Sequence, residues 1–147
     1  MANRQLPYGA FNFLVDINDV TTAGFSDVSG LATELTMAEY RNGNEKVNHV
    51  HKVPGLHRTG DVTLKRGIIK SDDLWNWIND SRTAGPAAKR TVVITLLSES
   101  GDLVQGWKLH GALPLRYTGP TLAAKGGGDV AMEELVLSVQ ALEIEAA

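Results

Sequence analysis

No cysteine occurs anywhere in the 147 residues. Disulfides, thiolate metal sites and cysteine nucleophiles are excluded together, and a reducing compartment suffices for the chain. Long apolar runs are missing too: no stretch approaches the roughly 20 residues that a membrane-spanning helix needs. Met1–Pro7 has no apolar run after Arg4, so neither a signal peptide nor membrane insertion is expected. Positive charge is not in excess. Fourteen Lys and Arg face seventeen Asp and Glu, giving −3, so bulk attraction to nucleic acid or to an anionic membrane is not expected. Aromatic residues are sparse at 6%.

What is present is short-period alternation punctuated by fifteen glycines. Phe11, Phe13, Val15 and Ile17 alternate with polar or smaller neighbours, the period of a half-buried strand. Asp19–Gly24 reads as a turn and Phe25–Ser29 as a short extended piece closed by Gly30. Thr33, Leu35, Met37 and Glu39 share one face of the next strand. Asp61–Arg66 is again a strand, with Val62 and Leu64 inward and Thr63 and Lys65 outward. Ser71-Asp72-Asp73 is a helix start, offering a hydroxyl and two carboxylates to the positive end of the dipole. Leu74, Trp77 and Ile78 follow on one face, and Gly85-Pro86 stops the helix. Thr91–Ser98 and Leu103–Leu109 are strands joined by a hairpin turn at Glu99–Asp102. Pro114, Gly119 and Pro120 mark bends or strand edges. Lys125–Asp129 reads as a turn, and Val130–Glu145 as a strand that places Leu135, Leu137, Val139 and Ala141 on one face.

Seven or eight strands and one helix predict a mainly β fold, an antiparallel sandwich or barrel with one flanking α-helix. Residues 1–147 are about one domain long, with no boundary or internal repeat. The exception to the alternation is residues 41–58, which are polar and glycine-punctuated and interrupted only by Val47, Val50, Val53 and Leu56. They are expected to be an extended polar loop or arm. A loop this long in a compact domain usually serves a functional surface, and its spaced valines suggest packing on another subunit.

The residues able to carry chemistry have simpler readings. His49, His51 and His57 lack a tight zinc spacing and a cysteine or carboxylate to complete it; His110 lies mid-strand as an outward polar residue. Gly126–Gly128 is not followed by the Lys-Ser or Lys-Thr of a phosphate loop. Ser26 and Ser29 are not in a Gly-x-Ser-x-Gly elbow, and Ser71 serves as a cap. Glu133 and Glu134 are adjacent on a strand and point to opposite faces, the wrong geometry for an acid–base pair. Lys65, Arg66 and Lys70 form a small basic cluster suited to a solvated or interfacial edge. Trp75 is off the helix stripe that holds Trp77 and is free to touch another subunit. No catalytic, cofactor-binding or metal-ligating residue is assigned, and no enzyme activity is expected.

Several segments, in order, carry a family resemblance. They are Pro7 with Phe11-x-Phe13-x-Val15; Gly24–Leu31 with Glu34; Tyr40-Arg41-x-Gly43; Pro54-Gly55; Val62–Gly67; Leu74-x-x-Trp77; and Trp107, Ala112-x-Pro114, Gly119-Pro120 and Glu133-x-Leu135-x-Leu137. In this order they resemble the inner tube proteins of contractile phage tails and of extracellular contractile injection systems. The type VI secretion tube protein shares that architecture. The resemblance implies hexameric rings stacked into a hollow tube inside a contractile sheath, whose contraction drives the tube through a target envelope. The implied partners are further copies of the chain, sheath protein, baseplate or spike and tube-terminator proteins, with protein effector or DNA cargo in the lumen. Production in the cytoplasm and assembly into a phage tail-like particle follow from the same likeness. Tyr40, Arg41, Asn42, Gly43, Lys46, His49, His51, Lys65, Arg66 and Trp75 are then the expected contacts between subunits or rings. Two alternatives stay open: a second tube paralogue or baseplate-proximal ring, and a small monomeric β-barrel that binds a ligand in a deep apolar pocket.

Overall fold

The computed structural model describes residues 6–18, 20–22, 24–44, 46, 48–68, 73–126 and 130–146. Ten strands and one α-helix lie among them: β1 (Phe13–Ile17), β2 (Val20–Thr22), β3 (Phe25–Ser29), β4 (Thr33–Tyr40), β5 (His51–Thr59), β6 (Val62–Gly67), α1 (Asp73–Ala84), β7 (Arg90–Leu97), β8 (Leu103–Thr118), β9 (Met132–Ser138) and β10 (Ala141–Ala146). Every strand pairing is antiparallel. The expected mainly β fold with one flanking helix is the observed one.

The long strand β8 organises the main sheet. Its first part pairs with β7 on one edge and with β10 on the other, and its last part pairs with β9. The order is β2-β1-β7-β8-β9-β6-β3, with β10 also on β8. Alternation decides which side chains go inward. Val15, Ile17, Val92, Ile94 and Leu109 come from the half around β7, and Val62, Leu64, Leu135 and Leu137 from the half around β6; all are buried. Leu74, Trp77 and Ile78 of α1 close over them. Trp77 is fully buried and donates from its indole Nε1 to the Ala88 carbonyl at 3.0 Å, so the polar end of the ring is satisfied. After Ala84 the chain turns through a 3-10 segment at Gly85–Ala88, where Gly85 has φ 59°.

Several sequence expectations change. Val20–Thr22 is a short strand paired to β1, not part of a turn; Asn18 reverses the chain instead, at φ 54°, a conformation asparagine tolerates. β8 continues past Gly111 and Pro114 to Thr118, because the pairing shift between Pro114 and Arg116 accommodates the proline. The C-terminal segment is two strands: the ladder breaks at Val139-Gln140, after which Leu142 and Ile144 lie opposite Leu109 and Trp107. Ala141, expected inward, is therefore exposed. Val136, expected outward among polar residues, is buried. The helix start at Ser71-Asp72, the turn at Gly127–Asp129 and Lys70 lie outside the described residues.

Candidate assembly surfaces

β4 and β5 pair only with each other and form a two-stranded arm separate from the main sheet. Every residue of β4 and β5 is exposed except Thr59. The expected extended polar loop or arm at 41–58 changes in its second part. Residues 41–50 connect the two strands, but His51–Thr59 is itself a strand. With neither face of the arm covered, no apolar period marks β5 in the sequence. The structure places Pro54 opposite Met37, beside a register shift between Leu35 and Met37, where a missing ladder donor is tolerated.

The arm is held at its root. Ala32 N–H donates to the Gly30 carbonyl at 2.8 Å, and Gly60 N–H donates to the Ala32 carbonyl at 3.0 Å. Gly30 adopts φ 86°, and a Cβ there would lie 2.1 Å from the Asp61 carbonyl oxygen. Only glycine fits this position.

Seven of the ten expected contact residues fall at the distal end of the arm. Tyr40 is 55% exposed, and its hydroxyl donates to Asn42 Oδ1. Arg41 Nη2 donates to Asn48 Oδ1 at 3.4 Å. Gly43 and Lys46 lie in the connection, and the His49 and His51 rings are 5.7 Å apart at their centroids. His57 pairs with Leu35, farther along the ladder than His51, which pairs with Tyr40. No group of three metal-ligating side chains occurs among the described residues.

Lys65 and Arg66 separate. Lys65 is on the outward face of β6, where its carbonyl accepts the Ser26 hydroxyl at 3.3 Å. Arg66 is only 2% exposed, so its assignment as a surface contact is corrected. Strand alternation puts it on the core face with Val62 and Leu64. Its Nε donates to Glu133 Oε1 at 2.6 Å, and its guanidinium lies 5.4 Å from the Phe25 ring centroid. The Tyr117 hydroxyl donates to the other Glu133 oxygen at 2.7 Å. That bond, then partial burial and the charge of Glu133, push the Tyr117 phenol above its ordinary value, against a smaller opposing effect of Arg66. Sequence reading missed this network because a charged residue in an alternating strand is assigned outward by default. The one available signal was that Arg66 continues the Val62, Leu64 register.

Trp75 is 49% exposed, with the Arg82 guanidinium 5.2 Å from its ring centroid. It lines a groove of about 400 Å³ between α1 and the end of β8, together with Ile78, Arg82, Leu115, Arg116 and Tyr117. The shift between Pro114 and Arg116 leaves Leu115 57% exposed. Exposed aromatic and aliphatic groups rimmed by arginines suit a protein contact. Sequence reading identified Trp75 alone, because the β8 wall depends on a bulge.

The main sheet has another uncovered region. On its core face, Leu109 is fully buried, Trp107 is half-buried and Ile144 is 67% exposed. On the opposite face of β10, Glu143 Oε1 lies 3.1 Å from His110 Nε2, and Glu145 Oε1 lies 3.7 Å from Lys108 Nζ. No helix among the described residues is long and apolar enough to cross a membrane.

A chain in the PVC sheath–tube complex of an extracellular contractile injection system in its extended state is 28% identical, with TM-score 0.85; the match covers 97% of this chain and 94% of that one. A chain in the anti-feeding prophage tube-terminating cap is 25% identical, with TM-score 0.86, over 100% and 96% of the two chains. A chain in the anti-feeding prophage baseplate is 26% identical, with TM-score 0.78, over 99% and 98%. No curated protein sequence matches the chain. The family model described as T4-like virus tail tube protein gp19 matches residues 9–143, from before β1 into β10. With nearly the whole fold inside that match, the chain belongs to the T4-like tail tube family.

Proposed function

We propose that this tail tube protein is the inner-tube subunit of a contractile, phage tail-like injection particle, and that six copies form each ring of a stacked hollow tube. The observation that carries this reading is the arm: strands of eight and nine residues project from the sheet with both faces exposed. An isolated hairpin is marginal in water and gains stability when a neighbour covers it. Cyclic assembly supplies that neighbour and leaves no copy with an unmatched arm.

On this reading residues 1–147 act as one tube domain. Tyr40, Arg41, Asn42, Gly43, Lys46, His49 and His51 make contacts between subunits or rings, with Lys65 and Trp75 contributing from outside the arm. The role is structural, not enzymatic. Sheath, baseplate or spike, and terminator proteins are the assembly partners, supported by the likeness to chains of a sheath–tube complex, a cap and a baseplate. The lumen conducts protein effectors or DNA. The chain is made in the cytoplasm and assembled into a phage tail-like particle.

Size-exclusion chromatography and negative-stain microscopy of the purified chain test the proposal. Rings or tubes with six subunits in end view are expected. A stable monomer at assembly concentrations overturns it and favours a monomeric ligand-binding barrel. The likeness to the baseplate chain supports a second reading, a paralogous first ring. In that case isolated rings form and long tubes do not.

A further inference from the structure

Of the eight asparagines in the chain, only Asn42, in the connection between β4 and β5, is followed by glycine. We propose that Asn42-Gly43 deamidates spontaneously in the free chain, assisted by the Tyr40 hydroxyl, and, resting on the tube reading, that assembly silences the reaction.

The reaction needs no partner but water. The Gly43 backbone nitrogen attacks Cγ of the Asn42 side-chain amide and gives up its proton. The new C–N bond closes a five-membered imide. The C–N bond to the side-chain nitrogen breaks, and that nitrogen leaves as ammonia with the proton. Water then opens the imide at either carbonyl. One opening gives aspartate; the other gives isoaspartate, in which the main chain runs through the former side chain. An amide and water become a carboxylate and ammonium, with no change of oxidation state.

Three features favour this asparagine. Residues 41–44 are all exposed, so water and base reach the bond. Gly43 presents the attacking nitrogen with no Cβ beside it, and its N–H donates to no backbone carbonyl among the described residues. The Tyr40 hydroxyl donates to Asn42 Oδ1, the atom on which negative charge develops as nitrogen adds to the carbonyl. Other asparagines lack the combination. Asn44 and Asn48 are equally exposed, but the residues after them, Glu45 and His49, carry a Cβ beside the nitrogen. Asn76 and Asn79 lie in α1, where the next N–H is held by the helix ladder.

The product changes the tip of the arm. Residues 40–52 carry three basic residues and one acidic one. Conversion adds a second carboxylate next to Arg41, and the isoaspartate form lengthens the main chain there by a methylene. Both alter the surface that the tube reading assigns to contacts between subunits. In a tube the neighbouring copy fixes this connection. Ring closure, which must turn the Asn42 side chain onto the Gly43 nitrogen, is then blocked. Conversion accumulates in chains that have waited unassembled, and it disfavours their later entry into a tube.

Trypsin cleaves after Arg41 and Lys46, so one peptide, residues 42–46, carries both Asn42 and the control Asn44. The purified chain is aged below its assembly concentration, digested and sequenced by tandem mass spectrometry, with isoaspartate read by an isoaspartyl methyltransferase. Acid is expected to accumulate at Asn42 while Asn44 and Asn48 stay amides. A Cβ at Gly43 meets nothing within 4 Å among the described residues, so Gly43→Ala keeps the fold and should stop the conversion. Tyr40→Phe should slow it. An unconverted Asn42, or the parental rate in Gly43→Ala, overturns the proposal. An equal or faster rate in Tyr40→Phe overturns the assistance. Tubes aged alongside should keep the amide, and Asn42→Asp mixed with parent should be under-represented in them. Equal conversion in tubes and free chains overturns the silencing and leaves the tube reading intact, and equal incorporation of Asn42→Asp overturns the effect on assembly. A parent that forms no rings overturns the tube reading and the silencing together, while the reaction at Asn42 is still decided in the free chain.

Discussion

Arg66 and Glu133 face each other across the β6–β9 ladder on the core side of the sheet, and their side chains meet at 2.6 Å. The pair closes the end of a row that begins with Val62 opposite Leu137 and Leu64 opposite Leu135. Removing one member strands a buried charge, whereas removing both leaves an apolar site that can repack. Glu133→Ala is expected to destabilise the unassembled chain by about 3–5 kcal/mol. The double change Arg66→Met/Glu133→Leu should recover most of that loss. Chemical denaturation checks both. Additive losses in the double variant would show that the pair does not act as a unit.

This pair also marks how far the sequence could be read. Where one face of a strand is buried and the other wet, alternation identified the inward residues, as at Val15 and Ile17, Val62 and Leu64, and Leu135 and Leu137. The helix followed from Leu74, Trp77 and Ile78 for the same reason. The signal fails when both faces share one environment. β5 is exposed on both sides, so its second strand looked like loop. It fails again where the register shifts: the breaks at Pro114 and Val139-Gln140 depend on pairing across the sheet, which one segment cannot encode by itself. Contacts such as Leu115 with the Trp75 groove and the exposed Ile144 are consequences of those breaks.

Tyr117 offers a test by pH. Its hydroxyl bond to Glu133, the neighbouring carboxylate charge and partial burial all favour the neutral phenol and raise its ionisation above 10.0. A raised value means that its contribution to stability is fully present below the unfolded value. That contribution fades as pH rises through the higher folded one. Phenolate absorbance recorded for the parent and for Tyr117→Phe should differ by one tyrosine that ionises above pH 10.0. A difference curve centred at or below that pH would contradict the assigned hydrogen bond.

Trp75 and Trp77 lie two residues apart and should report different events. Trp77 is fully buried and hydrogen-bonded to Ala88 within the chain, so assembly should leave its emission unchanged. Trp75 is half exposed beside Arg82, and covering its groove should shift its emission to shorter wavelength. Trp107→Phe/Trp77→Phe isolates Trp75, and Trp107→Phe/Trp75→Phe isolates Trp77. An unchanged Trp75 signal in assembled tubes would remove that groove from the contacts between subunits.

The root of the arm should be less tolerant of change than its tip. At Gly30 the backbone has φ 86° and the Asp61 carbonyl lies where a Cβ would have to be. Gly30→Ala therefore combines a disfavoured conformation with a clash against main chain, which no side-chain movement relieves. A loss of roughly 1–3 kcal/mol or more is expected, with the arm misdirected and tube formation reduced. Replacing residues 42–49 by an Asn-Gly turn shortens the tip while keeping the β4–β5 ladder. That variant should match the parent in thermal melting and still fail to build tubes, because it lacks the Asn42–His49 surface. If Gly30→Ala assembled normally, the arm's direction would not matter for the tube. If the shortened arm assembled normally, its distal surface would not be a contact.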